Sequence, residues 1–81
     1  MEMDQKQQLE MIKLIIAEEM DLNASDITEE MSLEQDLDMD ANAIEQVLAA
    51  CEVEFGVTYE IEDYEDIKTV EDILNSLREW E

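Results

Sequence analysis

Apolar residues recur along the chain with the spacing of helices, and polar punctuation separates them. Leu9, Ile12, Ile16 and Met20 return every three to four residues with Ile15 on the flank, which predicts a first helix from about Asp4 to Met20 with Asp4 as its N-cap. Leu14 and Met11 fall outside that stripe. Positions 21–40 carry Asn23, Ser25, Asp26, Thr28 and Ser32 without a period and read as a long loop, pinned to the core by Leu22, Ile27, Leu33 and Leu37. Ile44, Val47, Leu48, Cys51 and Phe55 share one face of a second helix over Ala41–Phe55, capped by Asp40 and stopped by Gly56. A short third helix around Glu60–Asp66 uses Ile61, Tyr64 and Ile67. A fourth opens at Thr69, with Asp72 completing a capping box and Val70, Ile73, Leu74 and Leu77 as its stripe. Val57, Thr58 and Tyr59 are locally strand-like but have no partner strand. The expected fold is all-α: a four-helix bundle in one domain over residues 1–81, with a long loop between helices 1 and 2 and a short third helix.

Charge narrows what such a bundle can do. The 81 residues hold 25 acids and 4 bases, a formal net charge of −21, which argues against nucleic acid and anionic membranes as partners. Apolar residues at 46% still provide a core, so the chain is not a disordered acidic tail. The absence of histidine removes imidazole chemistry and His-ligated metals. Cys51, the single cysteine, has no disulfide partner and lies on the buried stripe, where it reads as a small core residue. No membrane span or signal peptide is visible, which leaves a cytoplasmic monomer as the expectation. The pairs of carboxylates imply no pocket, and the protein is not expected to be an enzyme. The charge also predicts that salt and divalent cations stabilise the fold.

Asp36, Asp38, Asp40 and Asn42 alternate like the first half of a calcium loop. An EF-hand needs glycine at its sixth position and a bidentate acid at its twelfth, and Ala41 and Val47 stand there instead. No specific metal site is expected. A small acidic calcium-binding protein remains one alternative function.

Three segments in register carry a stronger signal. Gln35-Asp36-Leu37-Asp38-Met39-Asp40 precedes the second helix, Glu52-Val53-Glu54-Phe55-Gly56-Val57 closes it, and Asp66-Ile67-Lys68-Thr69-Val70 opens the last one. From about Ile12 to Leu77 the chain resembles acyl carrier proteins and related peptidyl or D-alanyl carriers. The resemblance implies a non-catalytic carrier of thioester-linked acyl groups in fatty acid, polyketide or other lipid biosynthesis. Family members bear 4′-phosphopantetheine on a serine that opens the second helix, within Asp-Ser-Leu. Here the triplet is Asp40-Ala41-Asn42. Ala41 occupies the attachment position, flanked by Asp40 and Asn42, and its methyl group cannot form a phosphodiester. No 4′-phosphopantetheine is therefore expected on this chain. Ser25 and Ser32 lie in the loop, away from the helix start. An engineered exchange and a natural carrier-like module acting unmodified both fit the alanine.

The resemblance also implies partners: acyl-processing or ligase-type enzymes, and a phosphopantetheinyl transferase. In the family the outward face of the second helix reads leucine and then acids that dock on basic patches. Here that face is Asn42, Gln46, Ala49 and Val53, with Glu45 and Glu52 on one flank, and these six are the candidate partner-binding residues.

Overall fold

The computed structural model describes residues 4–78. Helix α1 spans Gln5–Met20, α2 Ala41–Phe55, α3 Ile61–Asp66 and α4 Val70–Arg78, with one 3₁₀ turn at Ala24–Asp26. The architecture is the all-α bundle expected, and no strand forms among the described residues. Helix α1 packs against both α2 and α4.

The predicted caps are in place. Asp4 and Gln7 form a reciprocal capping box at the start of α1. At the start of α4, the Thr69 hydroxyl accepts from the Asp72 N–H at 3.1 Å, and the Asp72 carboxylate accepts from the Thr69 and Lys68 N–H groups at 3.0 and 2.9 Å. The first N–H groups of α4 that lack helical partners find them in the long loop: Val70 donates to the Met31 carbonyl and Glu71 to that of Glu29. Leu33 in turn donates to the Lys68 carbonyl at 2.9 Å. The loop is thus stitched to the head of α4.

The core joins Ile12, Ile16 and Ala17 of α1, Ile44, Val47, Leu48 and Cys51 of α2, Val70, Ile73, Leu74 and Leu77 of α4, and Ile27, Leu33, Leu37 and Met39 of the loop. Two residues expected to pack inward do not. Leu22 is 44% exposed. Asp21 turns left-handed at φ 56°, and the Leu22 N–H closes on the Ala17 carbonyl at 2.9 Å, which sets Leu22 over the end of α1 instead of under it. Ile61 is 78% exposed. The extended segment ahead of α3 takes its place, with Val57 and Tyr59 buried and Thr58 outside. The Tyr59 hydroxyl lies 2.9 Å from the Ser76 hydroxyl, tying that segment to α4. No described helix is long and apolar enough to cross a membrane. Trp80 lies outside the described residues.

Candidate functional site

The first turn of α2 is built by the nine residues before it. Ser32 and Asp36 bind each other: the Ser32 N–H donates to the Asp36 carboxylate at 2.7 Å, and the Ser32 hydroxyl accepts from the Gln35 N–H at 3.2 Å. The Asp36 and Leu37 N–H groups both close on the Ser32 carbonyl, and Met39 donates to the Leu33 carbonyl at 2.9 Å. Leu37 and Met39 are buried while the residues between and after them face solvent, so the loop is planted by alternate side chains. Asp38 accommodates the turn in a left-handed conformation, φ 54°, which a short polar side chain tolerates better than a branched one.

Asp40 then caps α2. Its carboxylate accepts from the Ala43 N–H at 2.8 Å, and its carbonyl from the Ile44 N–H at 3.0 Å. Ala41 is the first helical residue and is exposed, as are Asp40 and Asn42. Position 41 is therefore an open perch at the positive end of a fifteen-residue helix. A group anchored there would swing freely in solvent. The perch carries a methyl group and no oxygen, so the residues present do not fit a phosphodiester-linked prosthetic group. Neither described serine of the loop substitutes for it: Ser25 sits in the 3₁₀ turn, and the Ser32 hydroxyl serves the turn that plants the loop.

Asn42, Gln46, Ala49 and Val53 are all exposed along the outward side of α2, with Val53 86% exposed. Of the two acids on the flank, Glu45 is exposed as they are and Glu52 is not. Glu52 is half-buried, and its carboxylate accepts from the Tyr59 N–H at 2.8 Å, clasping the end of α2 to the segment before α3. Glu45 and Glu52 both lie near Tyr64 of α3. Burial first, and then the Glu52, Glu45 and Asp63 carboxylates, raise the Tyr64 phenol above its ordinary pKa. Sequence reasoning placed Glu52 on the correct flank but missed its internal bond, which joins residues seven apart through a turn at Gly56.

Cys51 is fully buried, and burial, with Glu52 and Glu54 adding to it, pushes its thiol up to about 12. A thiol so held is protonated and not a nucleophile at neutral pH. Val47, the twelfth position of the calcium-loop pattern, is a core residue with no oxygen to offer. Among the described residues no three His, Cys, Asp or Glu side chains converge as a metal site. A shallow groove of about 270 Å³ lies between Ser32–Gln35 and Ile67–Lys68, and none of Asp40, Ala41 or Asn42 lines it.

Comparison with known proteins finds matches along most of the chain. A family model described as "Phosphopantetheine attachment site" matches residues 10–77. An acyl carrier protein of Petrotoga mobilis is 40% identical over 70 residues, covering 86% of this chain and 82% of its own. One from Thermosynechococcus vestitus is 34% identical over 73 residues, covering 90% of each. Among solved structures, the acyl carrier protein of Enterococcus faecalis superposes with a TM-score of 0.76 at 27% identity, over 93% of this chain and 95% of that one.

Proposed function

The chain belongs to the acyl carrier protein family, and from that premise we propose that it presents α2 to carrier-dependent enzymes without bearing the prosthetic arm. The family's role is to shuttle acyl intermediates between biosynthetic enzymes on 4′-phosphopantetheine. The scaffold for that role is present here, and the oxygen for the arm is not. The single observation that carries the reading is Ala41 at the exposed first position of α2, directly after a loop held in place by Asp36, Met39 and Asp40.

The partner-facing residues in this reading are Asn42, Glu45, Gln46, Ala49, Glu52 and Val53, with Asp40 and Asn42 flanking the perch. What supports them is their position along the exposed side and flank of the helix that position 41 opens. Catalysis by the chain itself finds no support in its chemistry: it has no histidine, and its thiol is buried and protonated. Acyl-processing or ligase-type enzymes of the cytoplasm, and a phosphopantetheinyl transferase, are the partners this reading calls for. The chain acts as a monomer in it, since two bodies of formal charge −21 repel each other.

The test is arm transfer in vitro. Incubated with coenzyme A and a phosphopantetheinyl transferase, the chain should gain no mass, and Ala41→Ser should gain one arm. The exposed perch has room for the added oxygen, so folding should not change. An Ala41→Ser chain that stays unmodified while folded would sink the assignment of position 41.

A further inference from the structure

The first turn of α2 and the head of α4 lie far apart in sequence, and a run of hydrogen bonds joins them. The Asp72 carboxylate accepts from the Lys68 N–H at 2.9 Å. The Lys68 carbonyl accepts from the Leu33 N–H at 2.9 Å, and the Leu33 carbonyl from the Met39 N–H at 2.9 Å. Lys68 and Leu33 are thus each held through both the N–H and the carbonyl. Met39 directly precedes Asp40, which caps α2 through the Ala43 N–H, and Ala41 follows.

The middle of this path is dry. Leu33, Met39 and Ile67 are all buried, so water cannot readily stand in for a lost partner. Side bonds hold the α4 end firm: the Thr69 N–H also donates to Asp72 at 3.0 Å, and the Val70 and Glu71 N–H groups reach the Met31 and Glu29 carbonyls. The α2 end has less to hold it. Asp38, Asp40, Ala41 and Asn42 are all exposed, and Asp38 is left-handed at φ 54°. The placement of position 41 therefore depends on where Met39 sits, and Met39 is fixed by its buried side chain and by its bond to Leu33.

Resting on position 41 as the point that carrier-dependent enzymes read, we propose that Asp72 is a positioning residue for that point, acting from α4 through Lys68, Leu33 and Met39. Loss of its carboxylate frees the Lys68 peptide, which then no longer holds Leu33 in one place. The step from Met39 to Asp40 gains freedom in turn. The first turn of α2 keeps its cap and its helical partners but loses its fixed placement. A partner that needs an atom at position 41 in line for reaction then docks as before and reacts more slowly.

Two measurements test this. On the chain as it stands, with Ala41, amide exchange compares the unaltered protein with Asp72→Ala and Asp72→Asn. Asp72→Ala should speed exchange at Leu33 and Met39 by about threefold or more beyond the change at Leu48, whose amide in mid-α2 follows global stability. Asp72→Asn keeps an acceptor oxygen and should recover most of that protection. The second measurement uses Ala41→Ser as the reporter, with coenzyme A and a phosphopantetheinyl transferase. Adding Asp72→Ala should lower kcat for arm transfer by about threefold or more, with KM little changed. A loss of stability alone would lower the concentration of folded substrate and raise KM instead. Ile73→Val, which trims the core side of the same helix, should leave kcat unchanged. Met39 exchange that only tracks Leu48, or a kcat indifferent to Asp72→Ala, would overturn the relay. So would an Asp72→Asn chain as impaired as Asp72→Ala, since the lost charge and not the lost bond would then be acting. An Ala41→Ser chain that takes no arm would sink the reading of position 41 instead, and Met39 exchange would still decide the relay.

Discussion

Replacing Glu52 should loosen the junction of α2 and α3, and the size of the effect follows from one bond. The Glu52 carboxylate accepts from the Tyr59 N–H at 2.8 Å, and Tyr59 is buried, so water cannot readily replace the acceptor. Glu52→Ala removes it and strands a buried donor, at a cost of about 1–3 kcal/mol. For a domain of this size each kcal/mol lowers the melting temperature by roughly 4–8 °C. Glu52→Gln keeps an oxygen in place and loses only the charge on the bond, a difference of about 1 kcal/mol. It also removes one of 25 negative charges, which offsets part of that loss at low ionic strength. The two effects separate at about 1 M salt, where the Debye length is ~3 Å. Urea unfolding there should rank wild type above Gln and Gln above Ala. Amide exchange supplies the local readout: the Tyr59 N–H should exchange faster in Ala than in Gln, while that of Ile73, deep in α4, should follow global stability. Equal stability for Ala and Gln at high salt, or Tyr59 protection unchanged in Ala, would refute the clasp.

Two further perturbations probe the same end of α2. Gly56 adopts φ +68° with nothing within 4 Å of an added Cβ, so Gly56→Ala should cost about 1 kcal/mol from backbone strain alone; a larger loss in urea titration would reveal a steric clash that the structure does not contain. Burial pushes Cys51 from an ordinary 9.0, and Tyr59 from 10.0, up to about 12 each. Both folded pKa values are raised, so their stabilising contribution is complete below pH 9 and is lost as pH climbs from there through 12. The loss should be about 1.4 kcal/mol per pH unit for each proton involved. Cys51→Ala should flatten the first part of that decline, and an identical slope in wild type and variant would contradict the account.

What could be read from the sequence was whatever local chemistry decides. Helix α2 was legible to the residue because Asp40 and Gly56 are unambiguous punctuation and five apolar residues between them share one face. The capping box of Thr69 and Asp72 was legible for the same reason. Burial outside regular helices was legible only in part: Ile27, Leu33 and Leu37 enter the core as expected, while Leu22 does not. Met39 and Tyr59 enter the core because turns aim them there, and no periodicity marks either. Ile61 matched a helical spacing with Tyr64 and Ile67, but α3 is only six residues long, and the extended Tyr59 reached the core in its place. At the candidate site, the position of Ala41 at a capped helix start could be read from Asp40, while its exposure came only with the fold. The internal engagement of Glu52 depended on tertiary folding across Gly56 and left no trace in the pattern.

The account rests most heavily on Ala41 as an exposed, unmodifiable perch on a carrier scaffold. Intact-mass measurement of the chain purified from cells with an active phosphopantetheinyl transferase tests this most directly, with the Ala41→Ser variant expressed beside it. The account predicts the unmodified mass for the chain and one added arm, mapped to position 41, for the variant. An arm on the unaltered chain, at Ser25, Ser32 or any other residue, would contradict it.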